Sequence, residues 1–144
     1  MTDAISRFLT EDHRRCDFLL AACEKAVADG DWPAADTGAT GFLDALLHHF
    51  SLEEDLLFPA VEQANPAARG PTGVMRMEHA QMRSLLDDLS AAVRVRDRDT
   101  CLGVIETLHM IGQQHNAKEE GILYPLSDRA VPGSDDLVRR MQAT

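Results

Sequence analysis

The stretch His49-His-Phe-Ser-Leu-Glu53-Glu-Asp-Leu-Leu-Phe-Pro59 returns as His115-Asn-Ala-Lys-Glu119-Glu-Gly-Ile-Leu-Tyr-Pro125, displaced by 66 residues. The same displacement carries His13 onto His79 and Pro66 onto Pro132, and it matches Leu19, Leu20, Ala26, Val27 and Asp31 with identical residues. The chain therefore reads as two copies of one unit, and an internal repeat constrains architecture before any local propensity does. Each copy holds a lone histidine and, 36 residues later, a second histidine with a glutamate four positions beyond it. A chain of this histidine and glutamate content yields about 0.4 His-x-x-x-Glu pairs by chance. Two pairs related by one shift, each preceded by a histidine at the same distance, are a built feature.

The apolar pattern around these residues is helical. Leu9, His13, Cys16, Leu20, Cys23 and Val27 alternate steps of four and three, the seam of a helix packed in a bundle. This helix is expected to start at Thr2 or Asp3 and to end near Asp29-Gly30, where glycine can take a left-handed cap. Pro33 suits the first turn of a second helix, with the seam Ala35, Ala39, Phe42, Leu46, His49, Glu53, Leu56 and Ala60. Residues 65–73, rich in glycine and proline, read as the connection between the halves. The third seam is then Met75, His79, Met82, Leu86, Leu89 and Val93. The fourth is Cys101, Ile105, Leu108, Gly112, His115, Glu119, Ile122 and Leu126. Val131-Pro-Gly133 stops it, and Ser134 can cap a short C-terminal helix through Met141. The expected fold is all-α: an up-down-up-down four-helix bundle of two repeated hairpins, about residues 3–64 and 72–130. These form a single domain spanning 1–144.

His13 stands about 15 residues before the first turn and His49 about 15 after it, so an antiparallel hairpin brings them level. His79 and His115 repeat the geometry. Packing the hairpins about a pseudo-twofold axis gathers four imidazoles and two carboxylates in one layer. Carboxylates in an apolar core need a compensating cation. Imidazole with carboxylate suits iron, manganese or zinc rather than calcium or magnesium. A structural zinc is satisfied by four ligands, so six point to two metals; if Glu53 and Glu119 bridge them, each metal takes two histidines and two carboxylate oxygens.

These residues carry a resemblance. His13, His49-x-x-x-Glu53, His79 and His115-x-x-x-Glu119, with the endings Phe58-Pro59 and Tyr124-Pro125, resemble the hemerythrin-like cation-binding domain family over residues of about 3 to 130. The resemblance implies a four-helix bundle with a non-haem di-iron centre, two iron ions joined by an oxo or hydroxo bridge. Oxygen-carrying hemerythrins have a further histidine where this chain has Arg83, and an aspartate where it has Glu119. The set of four histidines and two glutamates is more similar to the repair-of-iron-centres proteins of oxidative and nitrosative stress. The implied function is binding or reduction of a small oxidant (dioxygen, nitric oxide or hydrogen peroxide), by a di-iron oxidoreductase if the reaction turns over. An iron or oxygen sensor, or an iron-donor module without turnover, is the alternative.

No catalytic residue distinct from the metal ligands is expected. Asp17, one turn after His13, is a candidate ligand or acceptor behind one, though Arg83 stands at its repeat position. Glu54 and Glu120 either orient histidines of neighbouring helices or are solvated. Cys16 and Met82 lie in the seam one turn beyond His13 and His79, as packing or as tuning of the site. Tyr124 has Phe58 as its counterpart and is either a packing or a redox residue beside the metals. Gly112 stands where the first half has Leu46, so it either packs closely against Phe42 or Phe8 or opens access to the site. His48 and His109 fall off the seam.

The partner expected from all this is a diatomic molecule or peroxide, with no protein partner indicated. The net charge of −10 gives no basic surface for nucleic acid or an anionic membrane. Neither a signal peptide nor a spanning segment is evident, and three cysteines without metal spacing suit the reducing cytoplasm.

Overall fold

The first seam folds as its spacing requires. In the computed structural model, which describes residues 3–144, Leu9, His13, Cys16, Leu20, Cys23 and Val27 are all buried along α1 (Ala4–Ala28). The expected start at Thr2 lies outside the described residues. Asp3 makes no side-chain cap; Asp128 accepts instead from the backbone N–H of Ile5 at 2.9 Å and of Ser6 at 3.2 Å.

Gly30 turns the chain with a left-handed φ of 68°. Asp31 then accepts from the Ala34 N–H at 3.2 Å, capping α2 (Trp32–Ser51). A π-helical turn (Leu52–Leu57) continues that helix into α3 (Phe58–Ala64). After Asn65 and a 3-10 turn (Pro66–Ala68), α4 runs from Arg69 to Arg94. The second hairpin repeats the first turn. Arg96 takes the left-handed conformation with φ 57°, and Asp97 accepts from the Thr100 N–H to cap α5 (Arg98–Lys118). A second π-helical turn (Glu119–Leu123) leads into α6 (Tyr124–Ala130), and α7 (Ser134–Gln142) follows. α1 packs on α2 and α5, and α4 packs on the same two, so the four long helices alternate in direction around one core. None of the described helices is long and apolar enough to cross a membrane.

Two expectations are corrected here. Residues 65–73 are not all connection, because α4 already begins at Arg69. Pro71 falls in its first turn, where a backbone N–H has no helical partner to lose. The second and fourth seams also slip by one residue at their ends. Pro59 and Pro125 bring no N–H, and the proline ring collides with the carbonyl four residues back. The turn ahead of each proline widens, and Phe58 N–H reaches back five residues to the Glu53 carbonyl, as Tyr124 N–H does to Glu119. A π turn rotates everything after it. Leu57, Phe58 and Val61 are fully buried in place of Leu56 and Ala60, and Leu123, Tyr124 and Ser127 take the inner face of the second copy. Ile122, expected in the seam, is 63% exposed.

The histidine layer lies between two apolar clusters. Cys16, Leu20, Phe42, Met82, Leu86 and Leu108 fill the side toward the hairpin turns. Ile5, Leu9, Leu57, Phe58 and Tyr124 fill the other, closed by Leu137, Val138 and Met141 of α7.

Candidate metal centre

His13 of α1, His49 of α2, His79 of α4 and His115 of α5 meet Glu53 and Glu119 of the two π turns. No one of the six is more than 3% exposed. Among the described residues they make two groups, His13, His49, Glu53 and Glu119, and Glu53, His79, His115 and Glu119, each with its ligand atoms within 4.8 Å of one another. Both carboxylates belong to both groups.

In the first group His13 Nε2 meets Glu119 Oε1 at 3.0 Å, while the second group converges without hydrogen bonds. His79 Nε2 stands 3.0 Å from Glu53 Oε1, and His115 Nε2 stands 3.2 Å from Glu119 Oε1. Yet Glu53 Oε1, His79 Nε2, His115 Nε2 and Glu119 Oε2 have no hydrogen-bond partner. Buried polar atoms left in that condition are costly and rare. Lone pairs aimed at one point are what a cation satisfies, so the residues fit a metal.

Each imidazole is held from behind. His49 Nδ1 donates to Asp12 at 2.7 Å and His115 Nδ1 to Glu78 at 2.8 Å. His79 Nδ1 donates to Glu54 at 2.6 Å and His13 Nδ1 to Glu120 at 2.7 Å. Residues 12 and 78, like 54 and 120, are 66 apart, so the repeat extends to this outer ring. With the proton held on Nδ1, each Nε2 keeps its lone pair toward the centre. Cations fix the carboxylates in turn: Arg15 donates to Asp12 at 3.0 Å, Arg83 forks onto Glu54 at 2.9 and 2.8 Å, and Lys118 donates to Glu78. The orienting role of Glu54 and Glu120 is thus the one the structure displays. Asp12 and Glu78 escaped the sequence reading, although an acid directly precedes the lone histidine in both copies.

The remaining candidates separate. Asp17 lies outside both metal groups, 3.4 Å from Gln113 Nε2. Cys16 is buried beside His13, and burial pushes its thiol up to about 12, which leaves it inert. His109 is exposed and His48 half-buried. Gly112 lines a pocket of about 30 Å³ that reaches His13, His49 and His115 between Phe42, Leu46 and Phe50. A β-carbon placed on Gly112 meets nothing within 4 Å, so close packing against Phe42 or Phe8 does not account for the glycine. Tyr124, turned inward by the π turn, donates its hydroxyl to Glu53 Oε2 at 2.5 Å.

Burial disfavours charge on His49, but the Glu53 carboxylate and the bond to Asp12 outweigh it and push the ring up to about 10. His115 is raised too, against burial, by Glu119, Glu53 and Glu78. These directions describe the protein free of metal. A ring raised from 6.5 to about 10 on folding contributes stability that is complete below the lower value and lost as pH rises through the upper. Chelated protein is therefore expected to melt at falling temperatures as pH is raised from about 7 to about 10. Thermal unfolding followed by circular dichroism checks it, and a flat profile would contradict it.

The comparisons with known proteins fit this geometry. No curated protein and no solved structure matches the chain significantly. The profile of the hemerythrin HHE cation binding domain matches residues 4–127, which takes in all six converging side chains. On that match, the chain belongs to the hemerythrin HHE cation-binding domain family.

Proposed function

We propose that this protein is a non-haem di-iron protein that binds or reduces a small oxidant (dioxygen, nitric oxide or hydrogen peroxide) in defence against oxidative or nitrosative stress. The observation that carries the reading is the pair of four-residue groups sharing Glu53 and Glu119, with four buried atoms of one group lacking a hydrogen-bond partner. Two imidazoles and two shared carboxylates at each position suit iron, which supplies electrons and open coordination positions to such an oxidant. The residues hold that chemistry dry. Phe50 stacks on His79 at 3.9 Å between ring centroids, and the apolar clusters seal the layer above and below. The pocket beside Gly112, at about 30 Å³, admits a diatomic molecule or peroxide and excludes an organic substrate. Three buried free cysteines suit work in the cytoplasm.

The test is to load the protein anaerobically with iron(II) and expose it to each oxidant in turn. Repeated consumption of one of them supports the reading, whereas a single oxidation followed by loss of iron makes the protein a donor or sensor. Gly112→Leu copies the residue of the first half into the pocket. It is expected to keep its iron while reaction slows by roughly tenfold, about 1.4 kcal/mol on the barrier. An unchanged rate at full iron content would exclude the pocket as the route in.

A further inference from the structure

The two metal groups match in histidines and carboxylates but not in what stands over them. The Tyr124 hydroxyl lies 3.0 Å from His13 Nε2, 3.4 Å from His49 Nε2, 2.5 Å from Glu53 Oε2 and 3.1 Å from Glu119 Oε1. These are one atom from each residue of the first group. An oxygen within hydrogen-bond reach of all four lies on, or directly beside, the point where they converge. The atoms it leaves untouched, Glu53 Oε1, His79 Nε2, His115 Nε2 and Glu119 Oε2, are the four without partners. The repeat places Phe58 opposite, stacked on His79 at 5.8 Å between centroids and offering no donor atom.

On the strength of that partition, and resting on the di-iron reading above, we propose that Tyr124 is a seventh ligand. Its phenolate oxygen would bind the metal held by His13 and His49, and no such donor stands over the position held by His79 and His115. The phenolic O–H bond breaks as the cation binds, its electron pair stays on oxygen and goes to the metal, and the proton leaves to solvent. A bound cation favours the phenolate, as it deprotonates a coordinating thiol. Pro125 is part of the device, since the π turn ahead of it rotates position 124 from the helix flank to full burial over the site.

Tyr124 is the only tyrosine of the chain, so a phenolate signal has one source. The protein is loaded anaerobically with iron(II), oxidised in air, and examined by visible absorption and by resonance Raman excited within the visible band. Wild type is expected to show phenolate-to-iron(III) charge transfer with phenolate ring modes, and Tyr124→Phe to lose both while holding as much iron. Two irons per chain without ring modes would overturn the proposal alone. A chain that takes up no iron would overturn it together with the di-iron reading. Should Tyr124→Phe not fold, the ring modes of wild type decide the matter, and Phe58→Tyr is expected to add a second phenolate and about double the band.

Discussion

Glu53→Gln is expected to leave the protein without either metal, whereas His79→Ala leaves it with one. The difference follows from membership. Glu53 supplies an oxygen to both four-residue groups, while His79 belongs to one. The amide preserves the shape of the side chain but removes a charge that both positions use, and a buried cation without its counter-charge is strongly disfavoured. Metal analysis after dialysis, beside circular dichroism to confirm the helices, distinguishes the two variants. Glu53→Gln retaining two metals would show that the carboxylate is not shared. Behind the ligands the effect is graded. Glu54 reaches the centre only through His79 Nδ1, so Glu54→Ala is expected to weaken metal binding by roughly 10–100-fold without changing the count.

Much of this centre is legible in the sequence because metal ligands need particular residue types at particular spacings. The shift of 66 residues relates His13 to His79 and each His-x-x-x-Glu pair to the other, and the helical period puts them on inward seams. The bundle follows from the same seams. The misreadings come from assuming a uniform helix. Leu56, Ala60, Ile122 and Leu126 were assigned inward by carrying a 3.6-residue period through Pro59 and Pro125, where the backbone cannot keep its four-residue bonds. The prolines were in view, but the answer to them, a π turn rather than a kink or a break, is set by burying Glu53 and Glu119 in the same turn.

The outer ring was hidden for a different reason. Asp12 and Glu78 serve histidines 37 residues away, on the neighbouring helix of the same hairpin. That pairing depends on rotation and tilt between helices, which periodicity within one helix does not record. The repeat was the available signal, since an acid precedes both lone histidines. Gly112 is the converse case. Its break with the repeat is visible in sequence, but only the open space around a β-carbon there separates a pocket from close packing.

If the six buried side chains hold two metals on which the fold depends, bound metal and thermal stability rise together when the chain, stripped of metal by a chelator, is titrated anaerobically with iron(II). Ions that bind the folded chain alone, at ~1,000 times their dissociation constant, contribute about 4 kcal/mol each. For a domain of this size that is roughly 10 °C per ion, at about 2–4 °C for each kcal/mol. Uptake is expected to stop at two equivalents per chain, with the unfolding temperature rising through both. Saturation at one equivalent, or a melting temperature indifferent to iron, would contradict it.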